Sequence, residues 1–144
     1  MKTILNKKNI LINLPSVSKE EAIKKAGQLL IDDGYTSKHY IDAMFEREKI
    51  VSTYVGNGVA IPHGVGKHKD LIYHSGIVVM QYPEGIDYDE GKAYLIIGIS
   101  GKGDDHIKIL SKIAESVSDL DNAEKLWHAK DVETIYKAFN GDHE

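Results

Sequence analysis

Apolar residues recur along this chain with two different spacings, and the switches between them divide it into elements. Near the start two short runs, Ile4-Leu5 and Ile10-Leu11-Ile12, predict an edge strand or hairpin within Met1 to Leu14. Ser18-Lys19-Glu20-Glu21 then reads as a capping box, with serine at the cap and glutamate three residues on. Behind it Ala22, Ile23, Ala26, Leu29 and Leu30 keep helical spacing until Gly34 supplies the stop. A second helix is predicted from Ser37 to about Glu48, with Tyr40, Ile41, Met44 and Phe45 on one face.

Three strands are expected next, over Thr53 to Ile61, Gly76 to Tyr82 and Ala93 to Ser100. Their apolar residues are consecutive rather than alternating, which points to strands covered on both faces. The last third returns to helical spacing. Ile107, Leu110, Ala114 and Val117 form one face of a helix beginning near Asp104 or Asp105. Two shorter helices follow, from Asp121 to about Ala129 and from Asp131 to Asn140, the latter stopped by Gly141. The order of strands, two helices, strands and helices predicts an α/β fold. It has one mixed β-sheet flanked by helices on both sides. The segment Gly64 to Asp70 reads as the most flexible loop.

Composition narrows the class. The 144 residues read as a single domain, 1–144, able to bury roughly 70% of its unfolded surface. There is no cysteine, which removes disulfides and thiolate chemistry. A net charge of −4 argues against nucleic acid as a partner. No apolar run approaches the roughly 20 residues of a membrane span, and no signal-peptide stretch opens the chain. A cytoplasmic protein without direct membrane insertion is expected.

The chemistry concentrates at Asn57-Gly58-Val59-Ala60-Ile61-Pro62-His63-Gly64. Proline removes the donor that would continue a ladder, and glycine lets the backbone turn. His63 is therefore expected as an exposed imidazole at a strand end. His106 follows Gly101-Lys102-Gly103-Asp104-Asp105, after a strand and in the first turn of a helix. Unpaired N–H groups and the positive end of the helix dipole favour an anion there and a neutral imidazole in its absence. Arg47, at the end of the second helix, could bind two oxyanion oxygens with its planar fork, or stand as a solvated arginine between Glu46 and Glu48.

Two histidines and an arginine suggest phosphoryl transfer through a phosphohistidine, with His63 as nucleophile. His39, His128 and His143 read as surface residues. A metal site of His63, His68 and His106 is set aside, because no recognised ligand spacing or His-Glu-x-x-His helix supports it. A serine hydrolase lacks its Gly-x-Ser-x-Gly elbow.

The string Gly56 to Gly64 resembles the active-site signature of the mannitol/fructose-type enzyme IIA proteins of the bacterial phosphotransferase system, EIIA type 2. Ala43 to Lys49, Gln81 to Ile86 and Asp105-His106-Ile107 resemble further segments of that family in the same order, and the resemblance spans nearly the whole chain. It implies that His63 accepts a phosphoryl group from phospho-HPr and passes it to a cysteine of a separate IIB domain during sugar uptake. Arg47 and His106 would neutralise and orient the group, and Asn57 could support the phosphate. No cofactor or metal is implied. Asn57 stands where mannitol-branch members commonly carry an acidic residue, whereas Gln81 to Ile86 favours the mannitol branch. A regulatory IIA-like protein, whose phosphorylation state controls a binding partner, is the alternative.

Overall fold

In the computed structural model, which describes residues 3–64 and 70–140, alternation along the two longest strands decides the architecture. Strands β4 (Gly76–Asp87) and β5 (Lys92–Ser100) pair antiparallel, and successive side chains point to opposite faces. Val78, Met80 and Ile96 go to one side, whereas Ile77, Val79, Leu95, Ile97 and Ile99 go to the other. Neither set faces water, so both faces need helices.

Helices α1 (Lys19–Asp32) and α2 (Tyr40–Ile50) cover the first face, contributing Ala22, Ile23, Ala26, Leu30, Tyr40, Ala43 and Met44. Helices α3 (Asp105–Val117), α4 (Leu120–Trp127) and α5 (Val132–Asn140) cover the second through Ile109, Ile113, Val117, Leu126, Ile135 and Phe139. The expected mixed sheet with helices on both sides is the observed one. The capping box forms as read: Ser18 Oγ accepts from Glu21 N–H, and the Glu21 carboxylate accepts from Ser18 N–H.

The sheet runs β1-β4-β5-β3-β2, where β1 is Leu5–Leu11, β2 Tyr54–Gly56 and β3 Val59–Ala60. β1 lies at an edge, parallel to β4; β3 runs parallel to β5 and antiparallel to β2.

Three expectations change. The strand expected over Thr53 to Ile61 is a hairpin, because Asn57 and Gly58 both have positive φ (52° and 74°). That is the turn an Asn-Gly pair favours. β4 runs past Tyr82 to Asp87, passing Pro83 where the register slips between Gln81 and Ile86; a bulge is where a sheet tolerates proline. On α3 the core face is Ile109, Ile113 and Val117; Ile107 is 68% exposed and Ala114 is exposed. Positions 65–69, the centre of the expected flexible loop, lie outside the described residues, as does His143.

Candidate active site

β3 delivers His63 to the end of the sheet, but the pairing does not stop at Pro62. Ile99 N–H donates to the Pro62 carbonyl at 3.1 Å, and His63 forms a parallel bridge with Ile99. Gly64 then passes close under α2: a Cβ there would lie 2.7 Å from the Tyr40 ring and 3.2 Å from Ala43 Cβ. The turn tucks the imidazole in. His63 is only 7% exposed, which corrects the expectation of an exposed ring.

The ring's tautomer follows from its partner. His63 Nδ1 lies 2.8 Å from the Ile61 carbonyl oxygen. A carbonyl can only accept, so Nδ1 carries the proton and the neutral ring keeps its lone pair on Nε2. Burial is the main cause that holds the His63 pKa below the ordinary imidazole value. The Ile61 carbonyl pulls the other way, His106 and Arg47 push it down again, and Glu48 opposes them.

His106 comes from a different element. It occupies the first turn of α3, where Asp104 at the cap makes no side-chain bond to the helix N-terminus. The His63 and His106 rings have centroids 5.0 Å apart and are tilted by 60°. Gly101 permits this approach, since a Cβ there would stand 2.4 Å from His106 Cα. The His106 pKa is also lowered, first by burial and then by Arg47. Both rings are thus neutral at pH 7, leaving Arg47 as the fixed positive charge.

Arg47 lies in the last turn of α2 and lines one cleft of about 350 Å³ with His63, Thr53, Val55, Leu110 and Ala114. Its Nη1 donates to the Val51 carbonyl at 2.6 Å. A larger cavity, about 500 Å³, lies between β1, α3 and α5 and contains none of these three residues. His63, His106 and Arg47, which the sequence singles out from three distant segments, are therefore brought together.

Asn57 is not with them. Its Nδ2 donates to the Val117 and Ser118 carbonyls at 2.9 and 3.1 Å, closing the C-terminal end of α3, while His106 sits at the opposite end. Helical rise puts those ends about 16 Å apart. Its side chain thus serves the hairpin turn rather than a phosphate. Trp127 backs the same turn, donating from Nε1 to the Asn57 carbonyl at 3.1 Å while its ring stacks on Tyr94 at 4.3 Å.

Sequence reasoning missed the support behind Arg47. Glu48, named there only as a neighbour of Arg47, has a side chain only 7% exposed. It accepts from Thr53 N–H at 2.9 Å and Thr53 Oγ1 at 2.7 Å, with Lys19 Nζ at 3.3 Å, and so ties the end of α2 to the start of β2. Its place next to Arg47 on the chain was visible; its burial was not. His39, His74 and His128 are exposed. Among the described residues no three histidine, aspartate or glutamate side chains converge to hold a metal ion. His68 lies outside them.

The arrangement is an imidazole with one nitrogen committed and, among the described residues, no hydrogen-bond partner on the other, beside a fixed guanidinium and a helix N-terminus whose cap residue makes no side-chain bond to it. That combination suits a tetrahedral dianion. Comparison with known proteins agrees in kind. The chain is 49% identical over 138 residues to the mannitol-specific phosphotransferase enzyme IIA component of Bacillus subtilis, covering 95% of this chain and 96% of that relative. Its fold is similar to the crystal structure of IIA mannitol from Escherichia coli, with TM-score 0.85, 34% identity, and 93% and 97% of the two chains covered. It is also similar to a chain from the complex of enzyme IIAMtl and phosphorylated enzyme IIBMtl of Escherichia coli, with TM-score 0.87, 32% identity, and 96% and 100% covered. Residues 3–141 match the family described as phosphoenolpyruvate-dependent sugar phosphotransferase system, EIIA 2, and the chain belongs to that family.

Proposed function

We propose that this chain is the phosphoryl carrier of a mannitol-type sugar phosphotransferase system, with His63 Nε2 as the carrying atom. The observation that carries the reading is the Nδ1 contact to the Ile61 carbonyl, which leaves the lone pair of the neutral ring on Nε2, in the cleft that Arg47 also lines. In the first step the Nε2 lone pair attacks the phosphorus of phospho-HPr. The P–N bond of the donor breaks, its electron pair returns to the donor imidazole, and a P–Nε2 bond forms on His63. Positive charge that develops on the His63 ring is shared through Nδ1–H with the Ile61 carbonyl. Arg47, His106 and the N-terminus of α3 balance the charge on the phosphoryl oxygens.

In the second step a thiolate attacks phosphorus and Nε2 leaves with its electron pair, so the ring returns neutral. The sequence holds no cysteine, so that thiolate comes from a IIB domain outside it. The mannitol-specific names of the relatives and the IIA–IIB complex among the similar structures support mannitol and IIB as substrate class and acceptor. Exchange with such partners would take place in the cytoplasm.

Incubation with phosphoenolpyruvate, enzyme I and HPr should label the wild-type protein at His63, and a mannitol-type IIB should withdraw the label. His63→Ala should take none, and His106→Ala should be labelled about 100- to 1000-fold more slowly. Undiminished labelling of His63→Ala overturns the assignment. A stable label that no IIB withdraws supports the regulatory alternative.

A further inference from the structure

In a parallel bridge one residue uses both of its backbone groups on the neighbours of its partner: its N–H bonds the carbonyl before the partner, and its carbonyl accepts from the N–H after it. Ile99 makes the first bond to His63's flank directly, from its N–H to the Pro62 carbonyl. The second is interrupted. Gly64 N–H donates to Tyr40 Oη at 2.9 Å, and Tyr40 Oη donates to the Ile99 carbonyl at 2.7 Å. A phenol hydroxyl stands inside the ladder where a direct bond would close.

We propose that the Tyr40 hydroxyl is a positioning residue for phosphoryl transfer, setting the orientation of the His63 ring by holding its turn one oxygen away from β5. Tyr40 is the first residue of α2 and is 1% exposed. Its single proton is committed, because an amide can only donate to it and a carbonyl can only accept from it. Burial also pushes its pKa up to about 12, so it remains protonated at working pH. It therefore exchanges no proton with the site and acts through geometry alone. With Pro62 fixed on one side and Gly64 on the other, the backbone of His63 has little freedom. The Nδ1–H bond to Ile61 then has one ring orientation available. Without the hydroxyl, Gly64 and Ile99 either lose their partners or close on each other, and either change rotates the turn that carries the ring.

This inference rests on His63 being the phosphoryl carrier, and its test keeps the two apart. Single-turnover phosphorylation from phospho-HPr is compared for wild type, His63→Ala and Tyr40→Phe, with thermal melts of each and ¹⁵N NMR of the imidazoles. Phenylalanine keeps the ring and its packing, so only the bridge is lost. Tyr40→Phe should fold, accept phosphate roughly 10- to 100-fold more slowly at saturating donor, and keep its KM for the donor. Its His63 ring should show mixed tautomers where wild type shows Nδ1–H alone. A Tyr40→Phe rate within about twofold of wild type, or an unchanged tautomer, overturns the proposal while a labelled wild type leaves the carrier role standing. An unlabelled wild type, or a labelled His63→Ala, refutes the carrier role instead. Should Tyr40→Phe not fold, hydrogen exchange of the Gly64 amide in wild type decides: protection supports the bridge, and exchange at the rate of an open loop overturns it.

Discussion

His63 and His106 face each other across two elements that are far apart in sequence, their rings 5.0 Å from centroid to centroid and tilted by 60°. Two imidazolium ions at that separation would repel, and Arg47 adds a third positive charge to the same cleft. The site is built to keep both rings neutral until an anion enters, which makes its behaviour depend on pH in a definite sense.

The pH dependence follows from the sign of the shifts. Both histidines have pKa values lowered from the ordinary 6.5. The proposed acceptance of phosphate on His63 needs the Nε2 lone pair, so its rate should be flat from neutral pH down past about 6.5 and fall only below that. Stability follows the same sense. As pH drops below about 6.5 the unfolded chain takes up protons that the folded rings refuse, so stability is lost between that value and the folded pKa. Arg47→Gln should raise both midpoints toward the ordinary value and narrow that window. NMR titration of the two rings reads it directly; midpoints at or above the ordinary value in wild type would refute the account.

Gly101→Ala should damage fold and site together. The new Cβ would lie 2.4 Å from His106 Cα and 2.9 Å from His106 N, both backbone atoms that cannot swing aside. The start of α3 must shift, at a cost of about 1–3 kcal/mol, and His106 shifts with it. We expect a lowered melting temperature and slower phosphorylation. A variant with wild-type melting and wild-type rate would show that α3 does not rest on Gly101.

Asn57→Asp separates the two roles considered for that position. It replaces an amide that donates to Val117 and Ser118 with a carboxylate facing the same two carbonyls. Stability should fall by about 1–3 kcal/mol, while the phosphorylation rate of the folded protein stays within about twofold of wild type. A loss of rate at unchanged stability would restore the phosphate-supporting role.

What could be read from the sequence was local. The capping box at Ser18 needs only its own four residues, and the consecutive apolar runs of β4 and β5 show strands buried on both faces wherever they pair. The Asn57-Gly58 turn was equally local, and its signal was present; the apolar run on either side outweighed it. α3 is a different case. Two apolar stripes share Val117, and only packing decides that Ile109 and Ile113 face the sheet while Leu110 and Ala114 line the cleft with His63. An apolar stripe left for the site has the same spacing as one made for the core. The residues that hold the site, Tyr40 and Glu48, were illegible for a related reason. Each acts on atoms distant in sequence, and no pattern along the chain records a hydroxyl bridging Gly64 to Ile99.

Trp127 is the chain's single tryptophan, and its indole N–H is held by the carbonyl of Asn57, in the hairpin that leads into His63. The molecule therefore carries its own fluorophore at the root of its reactive strand. Any tilt of the hairpin alters the hydrogen bond and the stacking on Tyr94, and with them the colour of the emission. Movement of that hairpin can be followed in light from the unmodified protein, with no isotope or dye.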